Sequence, residues 1–453
     1  MNPVLFASGG LCWKNTQSDR SAGSNQEFLR RFGFTGLVFF FLLTGITGPV
    51  AAQSQQPETV TVSQAVQEAV EKNLNLMAER YNLSIADARI VTARLRPNPV
   101  LSLYGDLQDL AGTGFNAQNA AGPPEYGIRT DFIWERGDKR RYRIETAQQA
   151  KEVARMQLPN AVRALALDVQ GAFIDVALAK ENLKLAEDNL AAFNKIVRVS
   201  AERVRAGDLA AVELTRTELA ELQFNNAVIQ TEARLRIAKQ RLQLLMGRVA
   251  PSESFEVAGE MRRETLPFQL AELQQQAIAR RPDYLAMQRE QARSQAEIRL
   301  QLAQRKVDYT VGAEYRRQQG LAGKGNSLGF FFSVPLPIFD RNQGEIDRTR
   351  QEQSQIEARA HALEAEIRNE IAAAWRQYET ARTLLARIED GMLLKAWRVL
   401  ETMEFSYCSG EASLVEFLDA QRAFNDTTQS YNEARAEYAR SLYLIDAAVG
   451  NGL

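Results

Sequence analysis

Glu416 and Asp419 stand three residues apart, a spacing that puts both carboxylates on one face of a helix. No imidazole, thiol or amine accompanies them, so the pair has no helper group for acid–base or nucleophilic work, and what it offers is a local negative field. The remaining reactive inventory is thin. The 453 residues include one histidine, His361, and two cysteines, Cys12 and Cys408. They cannot furnish a closed four-ligand zinc site, and they leave Ser/His/Asp or Cys/His chemistry resting on a single imidazole. The eight methionines are scattered and give no support to a metal relay. No catalytic residue, metal site or cofactor is expected, and an enzyme is the weaker class. Lys+Arg of 55 against Asp+Glu of 56 gives a net charge of −1, with no basic field for nucleic acid.

The elements that carry these carboxylates occur twice. A helical segment from Ala69 to Leu95 has a second version near Ala277 to Ala303, and at the same offset Leu101-Ser102-Leu103 falls on Tyr309-Thr310-Val311. Further on, Arg205-Ala206-Gly207-Asp208-Leu209-Ala210-Ala211-Val212-Glu213 matches Cys408-Ser409-Gly410-Glu411-Ala412-Ser413-Leu414-Val415-Glu416. Glu213 is therefore the counterpart of Glu416. Each copy reads as helix, strand, strand, long helix, turn, long helix. From Val162 to Val204 apolar and small residues alternate at spacings of three and four, a heptad seam held for about six repeats. Ile367, Ile371, Ala374, Tyr378, Ala381, Leu385, Ile388 and Met392 repeat the pattern in the second copy. At about 1.5 Å per residue such helices reach roughly 100 Å, the length of a rod or tube rather than of a globular domain. Gly207 and Gly410 mark the turns, where glycine accepts the left-handed conformation that ends a helix.

Export and strands complete the plan. Arg30 and Arg31 precede an apolar run from Phe32 to Ile46, followed by Pro49-Val50-Ala51-Ala52, the pattern of a signal peptide cleaved after residue 52. A membrane anchor is the alternative, although the run is shorter than the ~20 residues a spanning helix needs. Processing would leave Cys408 alone, with no disulfide and no lipidation cysteine at the cleavage site. The expected organisation is residues 53–250 as the first repeat, 251–269 as a linker and 270–453 as the second repeat. Strands are expected at 99–108, 126–135, 307–316 and 327–337. Their alternate residues, such as Tyr126, Ile128, Phe132 and Trp134 or Leu328, Phe330 and Phe332, make apolar, aromatic-rich stripes opposite polar ones. That is the pattern of a lipid-facing barrel with a wet interior, although any single strand would also suit a soluble sheet packed on helices. Four strands cannot close in lipid. Three chains give twelve strands and a lumen, so a conduit implies a trimer.

With these pieces in place the chain resembles the TolC-like outer-membrane efflux proteins over nearly its whole processed length. The resemblance rests on the tandem plan, on Arg96-Pro97-Asn98-Pro99 entering the first strand, and on the run from Tyr407 to Arg422 at the second turn. Ser333-Val334-Pro335-Leu336-Pro337-Ile338-Phe339-Asp340-Arg341-Asn342-Gln343-Gly344 is more similar to the heavy-metal efflux (CzcC-like) branch. The resemblance implies a mainly α fold with transmembrane β: long helical hairpins forming a periplasmic α-barrel, and four strands per chain in a trimeric twelve-stranded outer-membrane β-barrel. It implies a passive exit duct that meets a periplasmic adaptor (a membrane fusion protein) and an inner-membrane pump of the resistance-nodulation-division type, exporting metal cations or small toxic compounds. It puts Glu416 and Asp419, with Glu213 as a third candidate, in cation-binding rings at a pore gate. Tyr407 becomes a gate latch, although Ala412 stands where some members carry its arginine partner. The turns Gly207-Asp208-Leu209 and Gly410-Glu411-Ala412 become adaptor-docking tips. The rival readings are a periplasmic coiled-coil adaptor and a non-conducting envelope scaffold; an adaptor would carry one hairpin flanked by carrier-domain halves rather than two hairpins with four strands.

Overall fold

Period-2 alternation in four segments yields one antiparallel sheet, and the heptad seams yield the longest helices. A computed structural model describes residues 58–451 apart from 107, 109, 111, 113–123, 321 and 322; the expected signal peptide, residues 1–52, lies outside the described residues. The first copy runs β1 (Glu58–Val60), α1 (Val62–Lys72), α2 (Leu74–Arg94), β2 (Val100–Asp106), β3 (Glu125–Trp134), α3 (Lys139–Ala206) and α4 (Ala211–Leu245). The second runs β4 (Phe255–Val257), α5 (Leu270–Arg280), α6 (Pro282–Gln304), β5 (Tyr309–Gly320), β6 (Gly323–Ser333), α7 (Gln343–Arg387), α8 (Leu393–Ser409) and α9 (Leu414–Val449). Each long helix begins on a left-handed residue, Asp138 at φ 58° and Asn342 at φ 59°, the two positive-φ residues other than glycine among those described. Asp and Asn tolerate that region better than other side chains.

Two helices are divided where the periodicity predicts continuity. The segment 69–95 breaks at Asn73 and the segment 277–303 at Arg281, both with φ −62° and ψ 123°. The second break follows from Pro282, which drives the residue before it out of the helical region. The seam through Met392 is also interrupted. One π-helical turn, Ile388–Met392, separates α7 from α8, with Gly391 at φ 152°. Its first-copy counterpart α3 runs 68 residues unbroken, through Pro159, over about 100 Å.

The sheet has the order β2-β3-β5-β6, all antiparallel. Register sets Leu103 beside Ile128, Ile128 beside Tyr315, Phe132 beside Val311, and Val311 beside Phe332, so one face is apolar and aromatic and stays exposed. The other face is a network of charges. Arg129 pairs with Asp131 at 2.9 Å, Arg316 pairs with Glu314 at 2.8 Å, and the Tyr104 hydroxyl donates to Glu314 at 2.5 Å. β2 and β6 are the open edges of the sheet.

The remaining short elements join sheet to rods. At the first break the Asn73 side chain accepts from the Leu76 amide and donates 2.9 Å to the Leu245 carbonyl, so the end of α4 sits on the start of α2. At the second, Arg281 reaches the Ala448 carbonyl at 3.2 Å and Arg163 reaches Ala447 at 2.8 Å, so α9 sits on α6 in the same way. Arg281 is only 4% exposed and also binds Asp283 and Glu370, each at 2.6 Å. The parallel pair β1–β4 closes a core of Ala65, Ala69, Val169, Phe173, Leu242 and Phe255 beside the first junction. Ala277, Ile367, Ile371, Tyr378 and Leu442 form its counterpart beside the second. Burial works to raise Asp283, but the guanidiniums of Arg281 and Arg163 outweigh it and hold the carboxyl below the usual range. Removing one partner of a buried pair typically costs about 3 kcal/mol or more, against about 1 kcal/mol for a lost N-cap. Arg281→Met is thus expected to lower thermal stability, followed by helical circular dichroism, well below Asn73→Ala. The Arg281 contribution is present above the ordinary carboxylate pKa and fades as pH falls through the depressed Asp283 value, so the gap between parent and Arg281→Met narrows in acid.

Candidate functional site at the hairpin tips

Both turns end their helices as the glycines predict. Gly207 has φ 85° and Gly410 φ 83°, and in each the next residue's amide bonds back to a carbonyl of the last turn: Asp208 to Arg203 at 2.9 Å, Glu411 to Ser406 at 2.8 Å. Around Gly207 there is free space for a side chain, whereas Gly410 lies under the Arg203 guanidinium of the other hairpin. Asp208, Leu209, Glu411 and Ala412 are at the surface or half-buried beside their turns.

Tyr407 joins the two hairpins within one chain. It is 2% exposed, stacks on Phe417 with ring centres 5.7 Å apart, and shares a core with Phe193, Ile196, Ala220 and Leu414. Its hydroxyl and that of Ser200 on α3 are 2.9 Å apart, and Arg203 donates to its carbonyl at 3.0 Å. Ala412 does not take part, in keeping with the missing arginine. Ser200 and Arg203 are the residues that sequence reasoning passes over. Their signal is faint: Ser200 is a hydroxyl in an otherwise apolar seam. Farther along the same helix Asn189 accepts from Gln421 and Asn182 from Asn432, both at 3.1 Å, extending a polar ladder between the hairpins.

The three carboxylates meet different fates. Glu416 turns back onto its own helix start, where its carboxylate accepts the Ser413 amide and hydroxyl at 2.8 Å each, and those two bonds hold its pKa below the usual value. Glu213 occupies the same position of α4, but Ala210 replaces the capping serine and the carboxylate pairs with Arg216 at 2.7 Å. Asp419 is exposed and makes no hydrogen bond or ion pair among the described residues. Neither a shared helix face, for Glu416 and Asp419, nor a matching repeat position, for Glu416 and Glu213, makes them equivalent: one caps, one is paired, one is free. Among the described residues no group of three or more His, Cys, Asp or Glu side chains is arranged to hold a metal ion. His361 and Cys408 are exposed. If the buried hydroxyl pair holds the tips together, Ser200→Ala and Tyr407→Phe remove the same bond. Each single change is expected to lower unfolding free energy by about 1 kcal/mol, with the double variant no worse than either alone; additive losses in a double-mutant cycle would show that the hydroxyls do not couple.

Comparison with known proteins bears on the chain as a whole. The family model described as outer membrane efflux protein matches residues 65–248 and 273–451, one span for each copy. The cobalt-zinc-cadmium resistance protein CzcC of Cupriavidus metallidurans is 24% identical over 86% of this chain and 90% of its own length. Nodulation protein T of Rhizobium leguminosarum is 23% identical over 85% of each. Among solved structures, CusC superposes with a TM-score of 0.70 at 16% identity, covering 86% of this chain and 92% of its own. The open-state MtrE outer membrane channel of Neisseria gonorrhoeae does so with 0.69 at 16%, covering 86% and 89%. Two matched copies, covering most of the chain and coinciding with the two structural repeats, make it a member of the outer membrane efflux protein family.

Proposed function

We propose that three copies of this chain close a twelve-stranded barrel in the outer membrane and continue into the periplasm as a tunnel of helices, forming a passive exit duct. The observation that carries this reading is the sheet β2-β3-β5-β6, apolar and aromatic on one face, ion-paired on the other, and open at both edges. An open edge is not sustainable in hydrocarbon. Two chains would give a filled eight-strand barrel and three a lumen. Export through the amino-terminal signal fits that destination. The duct receives its solute from an inner-membrane pump of the resistance-nodulation-division type through a periplasmic adaptor, which docks at the tips around Gly207-Asp208-Leu209 and Gly410-Glu411-Ala412. The likeness to CzcC, a cobalt-zinc-cadmium resistance protein, supports metal cations as cargo.

At the tips the threefold axis would collect Asp419 and Glu416 into rings, with Glu213 beside them and Tyr407 holding the hairpins together as a latch. The capping of Glu416 and the pairing of Glu213 leave Asp419 as the carboxylate best able to meet a passing cation. Detergent-extracted protein from the outer-membrane fraction is expected to be a trimer by native mass measurement, and a stable membrane-embedded monomer would overturn the barrel.

In planar bilayers the trimer should give small, cation-preferring conductance blocked from the tip side by multivalent cations. Asp419→Ala should weaken block and preference more than Glu416→Ala does, and Glu352→Ala, on the shaft of α7, should change neither. Equal block in all three variants would reduce the carboxylates to solvated helix charges.

A further inference from the structure

The motif Val334-Pro335-Leu336-Pro337-Ile338-Phe339-Asp340-Arg341-Asn342 has no role in the duct as described, yet it is built with care. In the first copy three residues separate β3 from the left-handed Asp138; in the second this longer strap separates β6 from Asn342. The strap is pinned by its own hydrogen bonds. Ile338 donates to the Leu336 carbonyl at 2.8 Å, Arg341 Nε to Pro337 at 3.2 Å, and Gln343 to Phe339 at 3.1 Å. Asn342 fastens it to the end of α6 through the Gln301 carbonyl at 2.8 Å. The result holds Phe339 89% exposed and Ile338 61% exposed, an unfavourable placement for two large apolar side chains in water.

These side chains border an open groove of about 470 Å³, closed on its other sides by Leu302 of α6, by Arg305 just past the end of that helix, and by Arg341, Arg350 and one carboxylate, Asp347, around the start of α7. Arg305 and Arg341 have no carboxylate partner among the described residues, and Arg350 has only a 3.6 Å contact with Asp347. The groove adjoins the end of the sheet where Trp134 lies beside Tyr309 and Tyr309 packs edge-on to Phe332 at 5.2 Å, an aromatic girdle of the kind found at membrane boundaries. Exposed apolar side chains next to unpaired guanidiniums, just below such a girdle, match the chemistry of a lipid headgroup: phosphate for the arginines, acyl chain for Phe339 and Ile338.

We propose that this groove binds an anionic phospholipid of the periplasmic leaflet, with Arg305 and Arg341 on the headgroup phosphate and Phe339 in the acyl boundary. The proposal rests on the outer-membrane reading above, and bilayer conductance of the same preparations tests that reading separately. Native mass spectrometry of the trimer, carrying phosphatidylglycerol or phosphatidylcholine, is expected to retain phosphatidylglycerol preferentially, up to one lipid per chain. Arg305→Gln and Arg341→Gln should each lower that preference about fivefold, the equivalent of ~1 kcal/mol per arginine at an anionic surface. Phe339→Ser should lower retention of both lipids without changing the preference. Undiminished preference in the double arginine variant of a conducting trimer overturns the proposal. So does displacement of the lipid by millimolar inorganic phosphate, which would make this a free-anion site, or dissociation of the double variant into monomers, which would make the groove a contact between copies.

Discussion

The last carbonyls of a helix find no N–H donors within it, and in this chain α4 and α9 end where further rod is needed rather than where solvent is. The Asn73 amide takes up Leu245, and the guanidiniums of Arg281 and Arg163 take up Ala448 and Ala447. Those few bonds turn four separate helices into two nearly continuous columns, α4 on α2 and α9 on α6, standing beside the single long α3 and the divided α7–α8. The sheet hangs from the upper ends of these columns and the turns from the lower ends. Loss of the junction would leave both without a common frame.

The two copies use the same frame with different chemistry. The first junction is closed by one amide side chain, aided by Arg248 on Glu68 at 2.8 Å; the second uses a buried cluster of two arginines and two carboxylates. At the tips the divergence is sharper. Ser413 caps α9 where Ala210 leaves α4 uncapped, and Asp419 stands where the first copy has Arg216. The interrupted helix belongs to the second copy as well, and beside its break Glu389 binds Arg263 of the linker at 2.5 Å. Duplication thus supplied a symmetrical scaffold, and the second hairpin carries the break, the capped carboxylate and the free one.

Much of this was legible in the residues. The strand faces follow from period-2 alternation because every other side chain must point the same way, and the turns follow from Gly207 and Gly410 because few other residues hold a positive φ. The helix breaks were harder. Arg281 precedes Pro282, a readable signal that the strong periodicity on either side masks; Asn73 carries no such mark, since asparagine occurs inside helices too. Gly391 sits in a seam whose spacing continues past it. At the tips, the resemblance singled out Glu416 and Asp419, their spacing put them on one helix face and the repeat added Glu213, but which of them was occupied depended on Ser413 and Arg216, whose side-chain directions a spacing argument does not contain. Ser200 was visible only as a heptad position, and its bond to Tyr407 spans two hairpins from different halves of the chain.

That separation along the chain bears on how the molecule is made. Arg136 and Asp308, which meet where β3 ends and β5 begins, are 172 residues apart. The long hairpins need only neighbouring sequence and form quickly, while β3 must wait for β5 until the whole first hairpin and the linker have been synthesised. The apolar face of the sheet is therefore the last surface to be completed. A chain still being made carries folded rods and unjoined strands, and its continuous apolar face comes into being only when the second copy arrives.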